Sequence, residues 1–286
     1  MATLGRRGTG ILPAARFWAA VGGVWLSIAS ADPGRAASGD AAPAASVDLL
    51  LVLAVDISAS ISREEQRLQR SGYVEAFRAP EVIAAIGSGR HGRIAVAYVE
   101  WAGPAVQSLA VPWTLVDGRE SAERLAEIVG SLPLRREFDT SLAGALSFSA
   151  AALAASPYRS ERRIIDVSGN GPNNTGPPVL PAREAVLAAG ITINGLPVMT
   201  KVSWSGGLYS IEGLDYYFED CVIGGPDAFV IAVKHREEFK QAIARKLIRE
   251  IAGRDTPILP AALAARPRHM DCLAGEHNSG RLLPRN

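Results

Sequence analysis

The run Leu49-Leu50-Leu51-Val52-Leu53-Ala54-Val55-Asp56-Ile57-Ser58-Ala59-Ser60 decides how this chain is read. Seven aliphatic residues in succession describe a strand buried on both faces, as strands of parallel sheets are. The run then breaks into one carboxylate and two hydroxyls at alternate positions. In an extended segment, residues i, i+2 and i+4 point the same way, so Asp56, Ser58 and Ser60 can converge just past the strand's end. Oxygen donors of this kind suit a hard cation such as Mg²⁺, Mn²⁺ or Ca²⁺, and Mg²⁺ takes few protein ligands and keeps several waters. The same residues also fit the N-cap of a helix beginning near Ser62, and the triplet alone does not separate the two readings.

Outward from this stretch, apolar runs alternate with amphipathic ones for about two hundred residues. Strand-like runs occupy 47–55, 93–100, 107–114, 163–168, 191–198 and 228–233. Helix-like stretches occupy 63–77, 121–131, 142–155, 182–189 and 235–252; in the last, Phe239, Ile243, Leu247, Ile248 and Ile251 recur at helical spacing and mark a buried face. Such alternation predicts an α/β domain over 47–252: a single doubly wound, mostly parallel sheet with helices on both faces. Ligands of open sheets of this type bind outside the carboxyl ends of the strands, where Asp56 lies.

The ends have a different character. Arg6, Arg7 and Arg16 precede an apolar run from Phe17 to Ala29, and small residues follow, so 1–31 reads as a cleaved export signal. The run is too short and too rich in glycine for a membrane span, and none is expected after signal removal. Residues 32–46 read as a flexible lead, 201–226 as an aromatic insertion and 253–286 as an irregular tail. Export to the periplasm or the extracellular space puts Cys221 and Cys272 where a disulfide can persist, and a bridge tying the tail to the aromatic insertion is expected. His269, Cys272 and His277 lack a fourth ligand at the usual spacing for zinc. A net charge of +1 over 286 residues, with arginines scattered among acids, gives no electrostatic footprint for nucleic acid.

A cation at Asp56 needs further oxygens from other strand ends. Thr140, in Asp139-Thr140-Ser141-Leu142-Ala143-Gly144-Ala145-Leu146, stands just before an Ala-rich helix. Asn170, in Asp166-Val167-Ser168-Gly169-Asn170-Gly171, follows the fourth strand. With these segments the chain resembles a von Willebrand factor type A domain over about 47–252. Ile165-Asp166-Val167-Ser168-Gly169, Pro172-Asn173-Asn174 and Cys221-Val222-Ile223-Gly224-Gly225-Pro226 resemble a bacterial exported branch of that fold catalogued as a domain of unknown function. The resemblance implies a metal-ion-dependent adhesion site in which Asp56, Ser58, Ser60 and Thr140 are ligands. Where that family has a later Asp, this chain has Asn170. The substitution removes a full negative charge and implies weak binding of Mg²⁺, or of Mn²⁺ or Ca²⁺ in its place. Asp166 lies roughly 13 Å back along an extended strand from Asn170, so it reads as a buried carboxylate paired with an Arg or loop amides, with metal contact as the lesser alternative. Asp139 reads as a helix cap or as a group behind the ligands.

Enzyme signatures fail on context. Gly87-Ser88-Gly89-Arg90-His91-Gly92 precedes a strand, whereas a dinucleotide site follows one, and Asp166 occupies the first glycine position of a nucleophile elbow around Ser168. No catalytic residue is assigned. The resemblance implies a non-enzymatic binding module whose cation holds an Asp or Glu of a protein partner. A structural module with a degenerate, metal-free site and a metal-assisted hydrolase are the alternatives.

Overall fold

A computed structural model of the chain describes residues 44–200, 211–253 and 269–280. The expected signal, most of the lead, and Trp204 and Tyr209 of the aromatic insertion lie outside the described residues. Five strands form one sheet in the order β3-β2-β1-β4-β5: β1 (Leu50–Asp56), β2 (Ile94–Trp101), β3 (Gln107–Val116), β4 (Arg163–Gly169) and β5 (Thr192–Pro197). β1 is central and parallel to both β2 and β4, and all seven of its residues are buried, which is why its sequence is an unbroken aliphatic run. Only β3 is antiparallel; it edges the sheet beside β2, and its residues are mostly half-buried.

Helices cover both faces. α1 (Arg63–Arg78), α2 (Pro80–Gly87), α3 (Arg119–Ser131) and α7 (Phe239–Ala252) pack on one. α4 (Leu142–Ala154), α5 (Val179–Ala188), the single turn α6 (Leu214–Tyr217) and the π-turn Phe218–Val222 pack on the other. Tyr217, Phe218 and Cys221 of the aromatic insertion are thus core residues, lying against the sheet as a lid.

The chain runs from β1 through β2 and β3 on one side, then crosses to β4 and β5 on the other. The strand order therefore reverses between β1 and β4. That is the position at which open α/β sheets form a crevice at their carboxyl ends.

Three expectations are corrected. The sixth strand-like run, 228–233, pairs with β5 only through isolated bridges at Val230 and Val233. Asp227, just before this stretch, sits at φ 57, the Phe229 N–H goes to the Asn194 side chain, and Pro197 of β5 has no N–H to donate between the two bridges, so no regular ladder forms. The eight-residue α2 was not expected; Pro80 opens it, and at the first helical turn the missing N–H costs nothing. The tail is not wholly irregular, because it carries α8 (Ala274–Gly280).

Candidate metal centre

β1 delivers Asp56 to the switch point with its side chain fully buried. Its Oδ1 accepts the Ser58 N–H at 2.6 Å, while Oδ2 has no hydrogen-bond partner. Burial pushes this carboxyl up to about 6, against the pull of the Ser58 N–H and hydroxyl and of the Asn170 backbone. The neighbouring strand makes room for it: a Cβ at Gly169 would lie 3.3 Å from Asp56 Oδ2 and from the Trp101 ring. The Ser58 and Ser60 hydroxyls lie 2.8 Å apart, and Ser60 donates to Asn170 Oδ1 at 2.7 Å. The strand ends at Asp56, and a turn over Ala59 and Ser60, closed by the Ile61 N–H on the Ser58 carbonyl, gathers the hydroxyls. Convergence thus comes from a turn and not from continued extension.

These residues do not cap α1. Ser62 is the N-cap, accepting from the Glu65 N–H while Glu65 Oε2 accepts the Ser62 N–H. The capping alternative for Asp56 and Ser58 is thereby removed.

Thr140 stands on the adjoining loop, buried, and its hydroxyl is not hydrogen-bonded to the Asp56 run. Its N–H donates to Asn174 Oδ1 at 2.9 Å, and its carbonyl accepts the Asn174 N–H at 2.9 Å. Backbone bonds join the same loop to the others: Ala59 N–H to Glu137 O, Glu137 N–H to Ile57 O, and Ser141 N–H to Ala102 O. Asn173 and Asn174, to which the sequence assigned no role, are the pins of this assembly. Asn173 Oδ1 accepts the Ala143 N–H of α4, and its Nδ2 donates to Glu276 Oε1 of α8 at 2.7 Å.

The donor set fits a hard cation loosely held. Among the described residues no group of three or more His, Cys, Asp or Glu side chains could hold a metal. What the loops offer is one carboxylate with an orphaned buried oxygen, plus hydroxyl and amide oxygens. Such a set suits an ion that keeps several waters.

Over residues 46–255 the sequence matches the family described as "Protein of unknown function (DUF1194)". The chain belongs to that family. No curated protein matches it in sequence. Its fold is that of a von Willebrand factor A domain, as three solved structures illustrate. Proximal thread matrix protein 1 from the mussel byssus, with a zinc-occupied MIDAS motif, is similar at TM-score 0.53 and 14% identity, over 73% of this chain and 49% of that one. A von Willebrand factor type A protein from Catenulispora acidiphila gives 0.51 and 12%, over 72% and 43%. The pilus adhesin SpaC from Lactobacillus rhamnosus GG gives 0.51 and 10%, over 72% and 31%. The DUF1194 chain thus spans about half the length of these relatives or less.

Two further readings of the DUF1194 sequence are corrected by its geometry. Asp166 pairs with Lys246 of α7, Nζ to Oδ1 at 3.0 Å, and not with an arginine or loop amides. It points to the α1 and α7 face of the sheet, away from the Asp56 loops, because alternate residues of β4 face opposite ways. Asp139 does not cap α4; Ser141 does, accepting the Gly144 N–H at 3.2 Å, while Asp139 is exposed at φ 67. Cys221 and Cys272 are joined, with Cα atoms 5.4 Å apart, which leaves Cys272 unavailable to zinc. Ser168 is fully buried and accepts a hydrogen bond from Gln69 Nε2 at 2.6 Å, a setting that suits a sheet-to-helix strut and not an exposed nucleophile.

Proposed function

We propose that this DUF1194 protein is an exported, non-enzymatic binding module that engages an Asp or Glu of a protein partner through a divalent cation. Asp56, Ser58, Ser60, Thr140 and Asn170 would hold Mg²⁺, or Mn²⁺ or Ca²⁺. When bound, the cation would supply a positive centre with coordination positions open to a carboxylate. The observation that carries this reading is Asp56 Oδ2: a buried carboxylate oxygen without a partner, at the switch point of the sheet, beside a run of hydroxyl and amide oxygens. A buried charge is costly unless something compensates it, and among the described residues Asp56 has hydrogen-bond donors but no cationic side chain to do so.

The chain's own residues divide the remaining work. The turn at Ala59 and Ser60 aims two hydroxyls at one place, Asn170 adds an amide oxygen without adding charge, and Asn174 fixes the loop that presents Thr140. The named neighbours lend support by analogy of fold, one carrying zinc in its MIDAS motif and another being a pilus adhesin. Export rests on the order of charged, apolar and small residues at the N-terminus. Among the described residues no helix is long and apolar enough to cross a membrane.

Calorimetric titration with Mg²⁺ and Mn²⁺ tests the reading. Weak binding by the wild type is expected, lost in Asp56→Ala with the fold intact by circular dichroism. Absence of heat from the wild type at millimolar metal would replace it with a structural module whose site is degenerate. Turnover of esters or phosphates that depends on Mg²⁺ would replace it with a hydrolase.

A further inference from the structure

Phe138 is 81% exposed, against 43% or less for every other exposed large apolar side chain among the described residues. It is one residue from Glu137, whose backbone bridges to Ser58, and two from Thr140. A loose loop could fold such a ring inward. This loop cannot, since both sides of Phe138 are pinned. Glu137 exchanges backbone hydrogen bonds with Ile57 and Ala59, the Phe138 carbonyl accepts the Gly103 N–H at 3.1 Å, and the Thr140 N–H is held by Asn174. Between them Asp139 adopts φ 67, a conformation a non-glycine residue rarely takes and one the surrounding bonds impose. The backbone therefore presents the ring to solvent as a fixed feature.

The surroundings extend the patch. Pro104 and Pro177 are exposed, and Pro104 packs against Gly176 on the loop that follows Asn170. On the other flank Arg136, also exposed, donates to the carbonyl of Ala59 and so sits on the loop that carries Ser58 and Ser60. Exposed apolar residues and a cationic group thus stand on the loops that carry or adjoin the oxygen cluster.

We infer that Phe138, with Pro104 on the neighbouring loop, is the apolar half of the recognition surface, taking a partner segment in which an apolar side chain directly neighbours the coordinating Asp or Glu. The inference rests on the cation-binding reading above and adds to it the chemistry of the partner. Charge complementarity selects an acidic segment, because a divalent cation held by a single carboxylate would leave a net positive centre, while Arg136 and the exposed Asp139 offset each other on the rim. The fixed, solvent-exposed presentation of Phe138 selects the apolar neighbour, since covering it removes apolar surface from water and an ordered loop loses little freedom when it is covered.

The test uses a bead-bound peptide library with one invariant Asp or Glu and randomised flanks, read in Mn²⁺ and in chelator. Wild type and the remote surface variant Ile128→Ser should both enrich apolar flanks in Mn²⁺ by about fivefold or more. Phe138→Ser should bring that enrichment close to unity while its calorimetric Mn²⁺ affinity stays unchanged, and Phe138→Leu should keep most of it. Flank enrichment that survives Phe138→Ser, or wild-type selection of the acid with no flank preference, would overturn the inference while leaving the cation site standing. Failure of wild type to take up Mn²⁺ would overturn the cation reading and this inference with it. A wild-type dimer in sedimentation equilibrium that Phe138→Ser dissolves would assign the patch to a second copy of the chain and overturn the peptide partner.

Discussion

Asp56 and Asp166 lie on adjacent parallel strands, both buried, and both have carboxyls raised by desolvation, to about 6 and about 7. Their surroundings differ in one respect. Asp166 has a cation built into the fold: Lys246 lies 3.0 Å away, is ion-paired in turn to Glu250, and Glu250 is held by Asn194 Nδ2 at 2.9 Å. Two carboxylates facing one ammonium balance electrically only when one carboxyl keeps its proton, and the nearby Glu250 charge adds to the rise at Asp166. Asp56 has hydroxyls and N–H groups but, among the described residues, no cationic side chain against it. The first carboxylate is a strut between β4 and α7. The second has no such counter-ion among the described residues.

That contrast breaks most visibly at Lys246. Lys246→Met strands Asp166 and Glu250 without their counter-ion, and urea unfolding at pH 7 should register a loss of roughly 3 to 5 kcal/mol. A loss below about 1 kcal/mol would mean that the cluster is not the strut described.

Asp56 gives the next largest effect, with the opposite sign. In chelator its folded value of about 6 exceeds its ordinary 3.8, so the folded state holds the proton more tightly. Its charge therefore destabilises the metal-free protein above about pH 6, and the penalty is lifted as pH falls toward 4. Measured against Asp56→Asn, the wild type should gain roughly 3 kcal/mol over that interval, and the variant should be the more stable of the two at pH 7. Parallel stability curves for the two proteins would remove the premise that Asp56 is a desolvated, unbalanced charge.

Asn170→Asp sharpens the comparison by placing a second carboxylate beside Asp56 with no lysine to offset it. Without metal the variant should be less stable than the wild type. With Mn²⁺ its affinity should rise several-fold, since the added Coulomb attraction remains worth about 1 kcal/mol even when screened by water. Calorimetry beside urea unfolding reads both signs, and an unchanged affinity would place Asn170 outside the site.

Asp56 was legible from the sequence because its strand is central: burial on both sides demands an aliphatic run, and the break into Asp-Ile-Ser-Ala-Ser is abrupt. The partner of Asp166 was not, because it arrives from α7, eighty residues later in the chain. Phe239, Ile243, Leu247 and Ile251 revealed the buried face of that helix, yet Lys246 and Glu250 lie on the same side, and a charge inside an apolar stripe is the trace they left. Asn173 and Asn174 were visible as a pair but mute, since their roles depend on side-chain bonds to backbone 30 and 34 residues distant. The run at 228–233 had the composition of a strand, and the missing N–H of Pro197 in β5, with the diversion of the Phe229 N–H to Asn194, interrupts its ladder.

The docking of α8 bears on where this module ends. Gly275 approaches the Asn173 carbonyl so closely that any side chain there would collide with it, and Glu276 supplies an acceptor for the Asn173 amide. Cys272, at the start of the same segment, is covalently tied to the π-turn beneath the sheet. A fragment cut at residue 255, where the family match stops, would keep Asp56, Ser58, Ser60, Thr140 and Asn170 while stripping away Cys272 and Glu276. It would keep all five of those side chains and lose one of the bonds that hold Asn173, whose amide also donates to the Pro177 carbonyl at 3.0 Å. The border drawn by sequence similarity thus stops short of a segment that is both cross-linked and hydrogen-bonded to the domain.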